Sequence, residues 1–259
     1  MRRFLTALLV ALAVVASACS VPDRGDIHTT TLEHRGSDED VIPYSPAGPA
    51  PGASPSEIVN GFIEAMKAAP INTAYAKRFL TDDAASAWDP SKRTIVYSEL
   101  VDHGGSSQVM LTAKQGDWLD GRGVWHGRIP VDGTPLPFRL TKVAGEWRIS
   151  SAPDALVVES AWFESHFARS LLYYFDPSGR FLVPEPVFVP RGAQYASALV
   201  SSLLTGPGTA ERGAVRSYLP PKASEVLSVP VRNGMAEIDL RNVGEQSTQA
   251  IHLMTAQLA

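Results

Sequence analysis

Cys19 is the only cysteine among 259 residues. A thiol used once can be a nucleophile, a metal ligand or an attachment point, but not half of an intramolecular disulfide. The residues before it choose among these roles. Arg2 and Arg3 carry positive charge, Phe4 to Ala16 is apolar apart from Thr6, and the small residues Ser17 and Ala18 lead into Cys19. A basic start, a short apolar run and small residues before a cleavage point describe a secretory signal over residues 1–18. The run is too short to cross ~30 Å of hydrocarbon comfortably, which takes roughly 20 residues. Cys19 therefore stands where the mature chain would begin.

Other chemistry-bearing residues are scattered. The six histidines lie at 28, 34, 103, 126, 166 and 252. No G-x-S-x-G, H-E-x-x-H, P-loop or EF-hand loop occurs, and nothing in the spacing favours a Ser-His-Asp triad. Glu164 and His166 are two apart, which on a helix points them to different sides and argues against a shared metal. The acidic run Asp38-Glu39-Asp40 reads as solvated charge. Gly121-Arg122-Gly123-Val124-Trp125-His126-Gly127 nearly mimics a dinucleotide fingerprint, but His126 occupies the third glycine position and strands follow instead of a helix. Neither a catalytic constellation, a cofactor site nor a metal site is expected.

Composition narrows the class further. With 44% hydrophobic and 19% charged residues the chain is globular, and its net charge is −4. Loss of Arg2 and Arg3 with a signal would make it more negative still. Nucleic-acid binding needs a basic stripe, and this balance argues against it. Without disulfides, an exported chain must rely on apolar cores, and this one is long enough to build them.

Ala16-Ser17-Ala18-Cys19 resembles the lipobox of bacterial lipoproteins, although leucine or valine is commoner where Ala16 stands. The resemblance implies that the Cys19 thiol carries diacylglycerol, that the signal is cut before it, and that the new amino group is acylated, with palmitate as an expected chain. The bilayer is then the first partner. Residues 19–54 follow as a tether: Ser20 to Ser54 lacks periodicity and holds Pro22, Pro43, Pro46, Pro49 and Pro51. Such a composition cannot bury enough apolar surface to offset ordering. Its 35 residues would reach roughly 30 Å r.m.s. as a coil and about 115 Å fully extended.

Two folded units are expected, residues 55–153 and 154–259. In the first, Ser54-Pro55-Ser56-Glu57 is a helix start with a capping box, and Ile58, Val59, Phe62, Ile63 and Met66 share a face. A shorter helix around Tyr75 to Leu80 and another from Thr81 precede Pro90. From Thr94 the period becomes two, with strands at Ile95–Tyr97, Val109–Leu111, Val124–Val131, Leu136–Lys142 and Trp147–Ile149, most of them separated by turn signals. Helices followed by an antiparallel meander is an α+β order. It resembles the cone-shaped fold of nuclear transport factor two and ketosteroid isomerase, in which a curved sheet wraps a helix around a pocket. That resemblance puts Asp102, His103, Asp117 and His126 on the candidate list for the pocket, although each also suits a turn or a solvent face. Trp118, Trp125 and Trp147 read as sheet-face packing.

In the second unit, Leu156 to Phe167 is an apolar connector with Trp162, Phe163 and Phe167 expected between the units. Ser170–Phe175 and Phe181–Val189 are strands about an Asp176-Pro177-Ser178-Gly179 turn, with Pro184 and Pro186 limiting the second to an edge. A helix presenting Tyr195, Leu199, Val200, Leu203 and Leu204 ends at Gly206. Strands Val226–Arg232 and Met235–Leu240 flank the hairpin signal Asn233-Gly234, and a last helix spans Gln246–Leu258. Leu204-Thr205-Gly206-Pro207, Tyr218-Leu219-Pro220-Pro221 and Val231 to Leu240 resemble the sporulation-and-germination (GerMN) domain, where these are fold positions.

A lipobox, a proline-rich tether, an α+β unit and a GerMN-like unit in this order resemble the LpqB family of actinobacterial lipoproteins. Members of that family are longer, complete the GerMN domain and add a β-propeller, so the resemblance implies a truncated chain here. It further implies anchoring on the outer face of the plasma membrane and association with the extracellular region of the sensor histidine kinase MtrB of a two-component system, with effects on envelope homeostasis and division. The alternatives are an envelope module binding a lipid or cell-wall metabolite in the cone, and a cell-wall enzyme with paired carboxylates.

Overall fold

The computed structural model describes residues 43–208, 213–225 and 228–259. The signal segment, Cys19 and the tether up to residue 42 lie outside them. The final part of the expected tether is pinned to the folded body. Tyr44 and Ala69 exchange main-chain bonds of 2.9 and 3.0 Å, and the Tyr44 hydroxyl donates to Glu64. Gly52 N–H donates to Glu146.

Helix α1 (Pro55–Ala65) begins as its sequence demands. Ser54 Oγ accepts the Glu57 N–H while the Glu57 carboxylate accepts the Ser54 N–H, and Pro55 sits where no donor is required. The helix buries Ile58, Val59, Phe62 and Ile63 against strands described below. Helix α2 (Ala74–Lys77) is a single turn, and α3 (Asp82–Ala87) is capped by Thr81, whose hydroxyl accepts from Ala84 N–H.

Eight strands follow: β1 (Arg93–Tyr97), β2 (Glu99–Asp102), β3 (Gln108–Lys114), β4 (Asp117–Asp120), β5 (Trp125–Arg128), β6 (Thr134–Val143), β7 (Glu146–Ser151) and β8 (Leu156–Glu159). The fold is α+β, but the strands do not form one antiparallel meander. They divide into sheets of order β5-β4-β1-β8 and β2-β3-β6-β7, and β1 pairs β8 in parallel. The apolar connector is thus half strand: Leu156-Val157-Val158 lies buried beside β1. A parallel strand covered on both faces reads as a continuous apolar run, with no alternation to announce it. The remainder forms α4 (Ser160–His166), whose Phe163 stacks on Phe167 and meets Phe188.

Strands β9 (Phe167–Phe175) and β10 (Leu182–Pro190) pair antiparallel over nine residues, with Pro184 opposite Tyr173 and Pro186 opposite Leu171. The prolines interrupt nothing. Phe188, of the same parity, sends its N–H away from β9 to the Gly123 carbonyl at 2.8 Å. Residues 184, 186 and 190 therefore face outward where the ladder needs no donor.

Helix α5 (Tyr195–Thr205) ends at Gly206, whose φ of 82° only glycine adopts at little cost. It packs with α6 (Thr248–Leu258) on a second core of Leu172, Tyr174, Val187, Val189, Leu203 and Leu219. Short pairs β11 (Ser224–Glu225) with β14 (Leu240–Arg241), and β12 (Val231–Arg232) with β13 (Met235–Ala236), complete the chain. Asn233 and Gly234 both have positive φ, as a type I′ turn requires. The arms of this hairpin, Val231–Arg232 and Met235–Ala236, are two residues each, and Val231 and Met235 are exposed. The described residues all fall within one compact unit.

Candidate functional site

The space that a cone pocket would need is occupied by side chains. Phe62 is fully buried, with its ring 5.1 Å from Trp88 and 5.9 Å from Phe138. Met66, Leu111, Leu136 and Ile149 fill the rest of that core. The four candidates for such a pocket all lie outside it. The Asp102 carboxylate accepts from the Asn60 amide and the Gly104 N–H at the surface. His103 Nε2 is 3.0 Å from the Thr112 hydroxyl. Asp117 accepts from Trp125 Nε1, and His126 Nε2 is 3.0 Å from Asp120. Four residues in turns and on outer faces do not converge.

Trp118 and Trp125 lie on outer faces of the β4–β5 pair: Trp118 stacks with His126 across the strands at 4.5 Å, and Trp125 is 53% exposed. Trp147 is half-buried, with the Lys142 ammonium 5.2 Å from its ring centre. The ring of His166 stacks on Trp162 at 4.2 Å. Among the described residues no group of three or more His, Cys, Asp or Glu could hold a metal ion.

What the fold does assemble lies at the junction of its halves. The β4–β5 turn runs Asp120-Gly121-Arg122-Gly123-Val124. Asp120 Oδ1 accepts the N–H groups of Arg122 and Val124, which fixes the turn. Gly123 has φ 82°, and a Cβ there would stand 2.2 Å from the Phe188 carbonyl oxygen. Only glycine lets β10 approach closely enough for the Phe188 bond to form. The glycines that resembled a nucleotide motif serve this backbone contact.

Arg122 then projects into the second half. It is 8% exposed and Glu185 9% exposed. One guanidinium nitrogen is 2.8 Å from Glu185 Oε2 and 3.0 Å from the Gly206 carbonyl, while the other is 3.4 Å from both Glu185 Oε1 and Asp120 Oδ2. The Ser202 hydroxyl donates to the Arg122 carbonyl. Burial opposes the guanidinium charge, but Glu185 and Asp120 more than offset it and raise its pKa. Burial likewise opposes ionisation of Asp120, yet His126, two main-chain N–H groups and Arg122 hold its carboxyl below the ordinary range. Burial and the Glu185 carboxylate push the Tyr174 hydroxyl up to about 12. Sequence reasoning missed this cluster. The available signals were an arginine between two turn glycines and a glutamate between two strand prolines.

Beside the cluster runs an open groove of about 520 Å³, lined by Trp125, Arg169, Val183, Pro184, Pro186 and Phe188. Trp125 is held by its bond to Asp117 at 2.9 Å. Among the described lining residues Glu185 is the one carboxylate, and Arg122 already engages it. The arrangement suits apolar recognition by a fixed indole and prolines.

The chain matches the profile described as lipoprotein LpqB, N-terminal domain, over residues 48–164, and that described as sporulation and spore germination over 171–259. It is 30% identical to lipoprotein LpqB of Mycolicibacterium smegmatis over 280 aligned positions, covering 100% of this chain and 46% of that protein. Lipoprotein LpqB of Mycobacterium bovis is 30% identical across 98% of the chain, and that of Thermobifida fusca 29% across 88%. The chain spans less than half the length of these curated relatives. No solved structure matches it. No helix among the described residues is long and apolar enough to cross a membrane. With an LpqB N-terminal domain followed by a sporulation and spore germination domain, in the order its sequence motifs indicated, the chain belongs to the lipoprotein LpqB family.

Proposed function

We propose that this protein is a lipoprotein anchored through acylated Cys19 to the outer face of the plasma membrane, acting without catalysis as an accessory partner of a sensor histidine kinase resembling MtrB. The observation that carries the reading is the contrast between a first core packed solid by Phe62, Trp88 and Phe138 and an apolar junction groove led by the fixed, exposed Trp125. Such a protein works by contact. Binding the sensor's extracellular region more tightly in one signalling state shifts its population toward that state. The Arg122 cluster serves this role by holding both walls of the groove in one body.

Replacing Cys19 by alanine is expected to abolish incorporation of a fatty-acid analogue and release the protein from the membrane fraction; persistent labelling refutes the anchor. A photo-crosslinking residue at position 125, in cells expressing both proteins normally, is expected to recover the sensor kinase. Repeated failure to recover it, with the protein correctly anchored, counts against the partnership.

A further inference from the structure

Residues 43–52 lie against the first unit without joining its core. Within that stretch only Pro46 is buried, and the first core takes in nothing before Ala53. What holds the stretch is a row of polar contacts. Tyr44 and Ala69 form a single antiparallel bridge outside any strand. The Tyr44 hydroxyl donates to Glu64 Oε1 at 3.0 Å, while Glu64 Oε2 keeps Lys67. The Tyr75 hydroxyl donates to Ser45 Oγ at 3.1 Å. The Arg78 guanidinium covers Gly48, where a Cβ would stand 2.5 Å from it. Gly52, with φ 70° and open space beside its Cα, gives its N–H to Glu146 at 2.8 Å. Apart from Ala69, each of these anchors on the body is the tip of a side chain.

From this we infer that residues 43–52 form a releasable catch, a strap that docks on the first unit or swings free of it as one piece. At exposed sites, exchanging a protein–protein hydrogen bond for one to water changes the free energy little. Elements that bury few apolar groups and rely on such bonds open locally, ahead of the body they rest on. Release here gives up one buried proline, one bridge and four side-chain contacts. To open, the neighbouring α1 would have to expose Ile58, Val59, Phe62 and Ile63. Gly52 suits the pivot, because positive and negative φ cost glycine about the same. The capping box that starts α1 begins at Ser54 and stays intact when the strap leaves. The consequence for the tether rests on the anchoring proposed above. Docked, the free leash ends at Tyr44. Released, it ends at Gly52, eight residues later and about 29 Å longer at full extension. The catch holds that slack in reserve.

Hydrogen exchange on the full chain in detergent, resolved to single amides, tests the catch without reference to the anchor. After correction for intrinsic rates, the N–H groups of Tyr44, Ala69 and Gly52 are expected to exchange about a hundredfold or more faster than those of Phe62 and Ile63. Tyr44→Pro removes one main-chain donor and the hydroxyl on Glu64. It should speed exchange at Ala69 and Gly52 together by about tenfold, with Phe62 and the melting temperature as in the parent. Tyr44→Phe keeps the bridge and should give a smaller rise at the same two amides. Exchange at Tyr44 and Ala69 as slow as at Phe62 overturns the proposal, because the segment then opens only with the whole body. A Tyr44→Pro chain that melts well below the parent does the same, and so does a Gly52 amide that ignores both variants. Failure of fatty-acid labelling at Cys19 refutes the anchor and leaves these rates unchanged.

Discussion

Replacing Arg122 by alanine is expected to lower the unfolding free energy by about 3–5 kcal/mol, the usual cost of removing one member of a buried ion pair. The change takes the guanidinium from Glu185, from the Gly206 carbonyl and from Asp120 together. All three contacts tie the β4–β5 turn to the second half or to itself. The loss should therefore appear first as separation of the halves. Chemical denaturation of the variant, followed by tryptophan fluorescence, should broaden or split where the parent gives one transition. The companion variant sharpens the test. Arg122→Met with Glu185→Leu removes both charges and keeps the volume, and such replacements are often close to neutral. A double variant as unstable as Arg122→Ala would mean that the cluster's value lies in its hydrogen bonds to the backbone and not in the pairing.

Phe62→Ala carries the second large effect, about 3–5 kcal/mol for emptying a buried phenylalanine site. Phe62 is fully buried and touches Trp88 and Phe138 from the middle of α1. At roughly 2–4 °C per kcal/mol for a body of this size, the melting temperature should fall by about 6–20 °C. The result bears on function as well as stability. If the first unit were a ligand cone, α1 would tolerate a smaller residue at its inner face. A variant that melts with the parent would reopen the idea of a pocket.

How much of this was legible depends on whether local chemistry or distant contacts decided the outcome. The start of α1 was legible because Ser54, Pro55 and Glu57 satisfy the first donors among themselves. The end of α5 and the turn at Asn233-Gly234 were legible because positive φ selects glycine or asparagine. Strands β2 and β4 were missed: Glu99-Leu100-Val101-Asp102 is half-exposed throughout, and Leu119 is the one buried residue of β4, so neither shows alternation. Strand β8 was hidden by the opposite excess, an apolar run that helix, strand and connector can share. The functional candidates fared worse. Asp102, His103, Asp117 and His126 were chosen for residue type within an assumed pocket, and the packing of Phe62 removes that assumption. Arg122 and Glu185 are 63 positions apart, so nothing local could join them. The family itself was legible because its motifs are turn and cap positions, which are local by nature.

The pinning of the tether's last described residues bears on the mechanics of the proposed anchor. Composition alone suggested a leash running to Ser54, but the folded body takes hold at Tyr44. The contour from Cys19 to Tyr44 is then at most about 90 Å, and on the anchoring proposed above, with these residues docked, this would bound the radius within which the groove can search for a neighbour. On the same anchoring, tension on Cys19 would reach the described body at the Tyr44–Ala69 pair, two main-chain bonds just beyond the end of α1.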